Sequence, residues 1–271
     1  MTSAFKSGPQ RIVCLTTETT ELLYLLGEQA RIVGISGFTV RPPQARLEKP
    51  KVSAFTSAHI DKILKLQPDL VLGFSELQAP IAAELIRAGV AVHIFNQRSV
   101  AEIFDFMRML GGMIGAEAAT HTLLTHYERG IEAARIVAEH LPRRPRVYFE
   151  EWNEPMISGI RWVSELIAIA GGEDCFAELA VHPSAQQRII ADPLEVVRRA
   201  PDIIIGSWCG KKFRPALVRC RPGWDTIPAV RHGRLYEIKS CDILQPGPAA
   251  LTDGLHQLQT FIAACATGEL V

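Results

Sequence analysis

Two octets of the sequence nearly coincide: LQPDLVLG, from Leu66 to Gly73, and RAPDIIIG, from Arg199 to Gly206. Each closes an amphipathic helix, turns at Pro-Asp, runs through a buried-type aliphatic triplet and stops at glycine. Proline ends a helix and aspartate favours a turn, so one such junction alone is commonplace. Two further echoes keep the same order. Arg11-Ile12-Val13 is answered by Arg146-Val147-Tyr148, 135 positions later, against 133 for the octets. ELLYLLG, from Glu21 to Gly27, is answered by ELIAIAGG, from Glu165 to Gly172. Collinear echoes at half the length of a 271-residue chain predict paired domains and exclude a solenoid of short repeats. Clefts between such lobes bind ligands.

The alternation of elements predicts α/β architecture: two parallel-sheet lobes joined by a single long helix, with the ligand cleft between lobes. Residues 10–115 form the first lobe, 116–142 the connecting helix and 143–271 the second lobe. In the first, strands are expected at Arg11 to Leu15, Ile32 to Ile35, Val52 to Ala54, Leu70 to Leu72 and Val90 to Phe95. Thr19 or Thr20 can cap the helix Glu21 to Leu26, and Gly27 and Gly89 end helices. Ser36 to Pro50 is too rich in proline and charge for a regular element, and lies beyond a strand's carboxyl end, where open α/β sheets present ligands. From Glu117 to Leu141 there is no proline, and Leu124, Tyr127, Ile131, Ala134, Ala138 and Leu141 recur at three and four, which predicts one helix. Such a helix runs roughly 36 Å and makes a stiff connector, so closure around a ligand is expected to be small. In the second lobe, strands are expected at Arg146 to Glu150, Ile203 to Ile205 and Leu235 to Ile238. Helices are expected at Val163 to Ala170, Asp192 to Arg199 with Pro193 at its first position, and Ala249 to Ala264.

Composition removes several function classes. Formal net charge is +0 with Lys and Arg dispersed, which argues against nucleic acid or an anionic membrane as partner. No run of about 18 apolar residues predicts a membrane span. Met1 to Gln10 lacks an apolar core of the roughly 7–15 residues that a secretory leader needs, so the chain as written is expected to be cytoplasmic, and periplasmic only if a leader was lost. Cys14, Cys175, Cys209, Cys220, Cys241 and Cys265 are scattered without CxxC or His/Cys ligand spacing, and read as single thiols with no structural zinc. No GxSxG, HExxH, P-loop or GxGxxG occurs, and His121 and His126 stand five apart, wrong for one helical face. Glu150-Glu151 is the most reactive-looking cluster, but adjacent strand residues point to opposite faces, and a solvated charge pair explains it equally well. No enzyme activity, catalytic residue, metal site or required cofactor is expected.

Paired α/β lobes, one long connecting helix and a PDLVL-type strand in each half resemble the class III periplasmic binding proteins, which serve cobalamin, ferric-siderophore and haem uptake. The segments RIVCLTTETTELLYLLG, GISGFTVRPPQARLEKPKVSAF, LQPDLVLG, EEWNEPMISGIRWVSELIAIAGGED and DILQPGPAALTDGLHQL look most like the cobalamin-binding branch, over nearly the whole chain from Arg11. The resemblance implies a non-catalytic binding protein for cobalamin or a related corrinoid, with a ferric siderophore or haem as alternative ligand. An enzyme or chaperone handling a metal tetrapyrrole is the alternative of another class, because the fold also resembles chelatase architectures. By motif position, the implied ligand residues are Thr17, Glu18, Phe38, Phe55 and Phe74 in the first lobe, and Trp152, Trp208, Asp242 and Gln245 in the second. Aromatic rims suit flat, bulky ligands. Phe74 and Trp208 follow the two copies of the octet, so they are expected to face each other across the cleft, Trp208 where the chain turns to the surface. Phe38 and Phe55 read equally well as loop core residues, and His59 as a ligand for a chelated metal or as a plain surface histidine. Family members dock on an ABC permease with an acidic residue on each lobe. Glu76 or Glu84 suits that role in the first lobe, whereas the second offers the basic CGKKFRP after Trp208, which breaks the charge symmetry of a two-fold permease. A permease partner stays open, with the ferric-siderophore or haem alternative read as a component of an ABC uptake system.

Overall fold

The computed structural model describes residues 8–269, so most of the Met1 to Gln10 reading lies outside the described residues. The chain divides into two compact units, Met1–Gln97 with Ala101–Thr125, and Arg98–Val100 with His126–Val271.

In the first unit, β1 (Ile12–Cys14), β2 (Ile32–Ser36), β3 (Lys51–Ser53), β4 (Leu70–Phe74) and β5 (Val92–Phe95) form a five-stranded parallel sheet in the order β3-β2-β1-β4-β5. The central strands are continuous aliphatic runs because helices cover both faces of a parallel sheet. Every residue of β1 and β4 is buried. The first helix starts earlier than expected, at Thr17 rather than Glu21. Thr16 therefore precedes it, and Thr19 and Thr20 lie in its first turn, donating their hydroxyls back to the Thr16 carbonyl at 3.1 Å each. The proline-rich stretch beyond β2 contains the short helix Ala45–Glu48.

In the second unit, β6 (Arg146–Asn153), β7 (Met156–Ser158), β8 (Glu173–Asp174), β9 (Ile203–Gly206) and β10 (Leu235–Glu237) make the sheet β10-β9-β6-β7, with β8 also on β6. Its spine β10-β9-β6 is parallel, and β6 runs on into an antiparallel hairpin with β7. The last helix, Leu255–Thr267, is preceded by a π-helical turn at Ala250–Gly254. The long helix spans Glu117–Glu139. Its first residues, to Thr125, belong to the first unit and the rest to the second.

The two octets do the same work in both units. Ile12 pairs with Leu70, and Val147 with Ile203, so each Pro-Asp strand lies parallel to the first strand of its own unit. Asp69 accepts a hydrogen bond from the Arg11 amide at 2.9 Å, and Asp202 accepts one from the Arg146 amide at 2.8 Å. The aspartate is thus a clip on the start of the neighbouring strand as well as a turn residue. Ahead of each proline, Gln67 (φ 48°) and Ala200 (φ 45°) both take the left-handed conformation that ends the helix.

The closing glycines are equivalent too. A Cβ on Gly73 would overlap the Gln78 carboxamide, and one on Gly206 would overlap the Phe213 ring. Gly206→Ala should therefore cost about 1–3 kcal/mol through overpacking, read as a lower urea midpoint with an unchanged slope. Wild-type stability in this variant would show that the Phe213 ring yields without cost.

Candidate functional site

Parallel α/β sheets present ligands beyond the carboxyl ends of their strands. In the first unit, Thr17 and Glu18 follow β1, Phe38 follows β2, Phe55 and His59 follow β3, and Phe74 ends β4. Phe38 is 57% exposed on a loop that is nonetheless built. Its amide donates to Ser36 Oγ at 3.2 Å, and its carbonyl accepts from Thr17 Oγ1 at 3.4 Å. Arg46 Nη1 donates to the carbonyls of Gly37 and Thr39, both at 2.8 Å. A large apolar ring held out by such a frame is not a core residue. Phe55 is half-buried. Phe74 is buried within the sheet, in register with Phe95, which corrects the expectation of a ring facing a cleft.

Gln78 is fully buried, and nothing in its local sequence marked it. Its Oε1 accepts from the Phe74 amide at 3.0 Å, while its Nε2 donates to the Phe55 carbonyl at 2.8 Å and the Leu15 carbonyl at 3.4 Å. One carboxamide therefore ties the ends of β1 and β4 to the loop after β3. It fits only because residue 73 has no side chain.

Glu18 is 3% exposed, and its Oε1 has no hydrogen-bond partner. Burial, opposed by a hydrogen bond from Thr16 and aided by the neighbouring Glu21, pushes its carboxyl up to about 7. Glu21 itself is paired with Arg41 at 3.0 Å. His59 is exposed beside Lys51 and Lys62, surroundings that favour an anion over a metal cation.

In the second unit, the expectation for Trp208 is corrected. Its ring is 3% exposed and packs edge-on against Phe213, with centroids 5.1 Å apart. Trp208 Nε1 donates to Glu150 Oε1 at 2.9 Å. The chain after Gly206 turns inward because this buried carboxylate and the ring of Phe213 give the indole both a polar and an apolar partner. Glu150 and Glu151 are not a solvated pair either. Glu150 is 0% exposed and accepts both Arg221 Nη1 at 2.5 Å and Nη2 at 2.9 Å, with the Tyr148 hydroxyl at 2.9 Å. Glu151 takes Arg188 at 2.6 and 3.2 Å. As alternation in a strand requires, the two carboxylates are engaged by separate arginines.

Trp152 is half-buried, donates Nε1 to the Glu154 carbonyl at 2.8 Å and carries Lys211 Nζ 4.1 Å from its ring centroid. The first lysine of the basic loop is thus folded over aromatic rings as a cation–π pair. Asp242 is half-buried and accepts from Gln257 Nε2 at 3.3 Å. Gln245 is half-buried too, and its Oε1 is without a partner. Glu76 and Glu84 are exposed. Among the described residues no group of three or more His, Cys, Asp or Glu is placed to hold a metal ion, and no helix is long and apolar enough to cross a membrane.

A family model described as periplasmic binding protein matches residues 12–241. The chain belongs to that family. Among its relatives, an uncharacterized ABC transporter substrate-binding lipoprotein of Bacillus subtilis is 25% identical, over 95% of this chain and 81% of that protein. The vitamin B12-binding protein of Vibrio cholerae is 24% identical, over 93% of this chain and 89% of that protein. The solved structure of a periplasmic heme-binding protein from Pseudomonas aeruginosa superposes with a TM-score of 0.79 at 22% identity, covering 94% of this chain and 93% of that one. The family resemblance and the α/β fold expected from the sequence hold. The expectation of a cytosolic role uncoupled from transport finds no support in these periplasmic binding protein relatives.

Proposed function

We propose that this periplasmic binding protein binds cobalamin or a related corrinoid without transforming it, and hands it to an ABC permease. The exposed, framed ring of Phe38 carries the reading, because a bulky chelate with a broad apolar face is the ligand such a ring serves. Likeness over most of the chain to a vitamin B12-binding protein supports the same ligand. In the first unit Phe38 and Phe55 supply contact area with Thr17, and Phe74 stiffens the loops from behind; in the second unit Trp152 supplies contact area with Asp242, and Trp208 stiffens the loop behind it. In the first unit Glu18 Oε1 is an acceptor without a partner, which a peripheral amide of a corrinoid would satisfy.

Calorimetric titration with cyanocobalamin tests the reading. Saturable binding is expected, and Phe38→Ala should weaken it roughly tenfold by removing apolar area that the ligand covers. Haem and a ferric hydroxamate serve as competing probes. A protein that binds either of these and ignores corrinoids would overturn the ligand assignment.

A further inference from the structure

The edge of the first sheet carries a concave feature that the corrinoid reading does not need. A cavity of about 310 Å³ opens beside Lys51 on β3, Ser53 and Ser57 around the following turn, and His59 and Lys62 at the next helix. Two alanines complete its wall, and no carboxylate lines it. The chain as a whole has a formal charge of +0, so this wall is a local concentration of positive charge.

The wall is ordered by its own backbone. Ala54 N donates to the Ser57 carbonyl at 2.8 Å, His59 N to the Val52 carbonyl at 2.9 Å, and Gly37 N to the Ser53 carbonyl at 2.7 Å. Ser53 and Ala58 are bridged antiparallel across the turn. Ser53 is only 8% exposed, yet its Oγ has no hydrogen-bond partner. A buried hydroxyl left unpaired is costly and unusual, and a ligand oxygen that accepts from it removes the cost. Lys51 and Lys62 are exposed, so their ammonium groups are hydrated, mobile donors of the kind that bind phosphate as point charges.

We propose that this cavity binds a phosphate oxyanion, free or esterified to a small organic molecule. Lys51 and Lys62 neutralise it, Ser53 Oγ donates to it, and His59 closes the wall. The volume falls at the small end of organic-ligand sites, leaving room for a substituent on the phosphate. The site lies wholly in the first unit and is independent of corrinoid binding.

Phosphorus NMR titration of the full chain, with glycerol 3-phosphate and separately with inorganic phosphate at constant ionic strength set by sodium chloride, tests the proposal. Saturable shifts are expected for the wild type. The double variant Lys51→Met/Lys62→Met should bind at least about tenfold more weakly, since each lysine supplies a charge-assisted hydrogen bond. Ser53→Ala should also weaken binding while leaving the circular dichroism spectrum unchanged. Tighter binding of the ester identifies an organic phosphate, and equal binding identifies the free ion as sufficient. Absence of saturable binding to either probe, or binding indifferent to the loss of both lysines, overturns the site.

Discussion

Arg221→Met should lose roughly 3–5 kcal/mol of folding stability, the cost of stranding a buried charge. Glu150 is 0% exposed, and both of its oxygens receive the Arg221 guanidinium. The two remaining donors, the Tyr148 hydroxyl and Trp208 Nε1, are neutral and cannot replace the cation. The ion pair is not itself a large net stabiliser, because taking both charges out of water offsets most of their attraction. Arg221→Met combined with Glu150→Leu should therefore recover much of what the single change loses. Urea unfolding of the wild type and the single and double variants measures this. A single variant as stable as the wild type would mean that water reaches Glu150. The rings of Tyr148, Trp208, Phe213 and Trp224 share one core cluster, so the single variant should also change tryptophan fluorescence.

Glu18→Gln should stabilise the protein at pH 8 by up to about 3 kcal/mol, and at pH 5 by less than about 1 kcal/mol. Burial raises the Glu18 carboxyl from its ordinary 4.5 to about 7. Between those values the folded chain holds a proton that the unfolded chain has released, so stability falls as pH rises and levels off above about 7. Glutamine has nearly the same shape and carries no charge to desolvate, so it removes that slope. The quantity to follow is the difference in unfolding free energy between the variant and the wild type, measured in urea from pH 5 to pH 8. Parallel profiles would show that the carboxyl is hydrated in the folded state. If Glu18 also accepts from a ligand, the stabilised variant will bind corrinoid less well, as is common where activity needs a costly buried group.

Much of the fold was legible because it is local. Proline at 68 and 201 and aspartate at 69 and 202 announce helix end and turn within a few residues, and the structure finds the same clip and the same left-handed residue in each unit. The site was less legible. Phe38 could be placed beyond β2 from sequence, but its exposure depends on Arg46 returning from the next helix to hold Gly37 and Thr39. Gln78 gave no signal at all, since its value lies in reaching Phe55, 23 positions earlier, and Leu15, 63 positions earlier. Trp208 was misplaced for the same reason. A tryptophan after a strand's glycine turns outward by default, and only Glu150, 58 positions away, and the Phe213 ring give it a reason to turn in.

By itself, the sequence determined the α/β class and the two matching Pro-Asp junctions, because hydrophobic period, proline and glycine act over a few residues. Two of the strands expected from it run further, to Phe74 and Asn153. The tertiary structure alone decided which side chains those ends expose. It buried Phe74 and Trp208, left Phe38 in solvent and paired Glu150 with Arg221, 71 positions on. Those choices follow from desolvation and from partners distant in the chain, which no local pattern encodes.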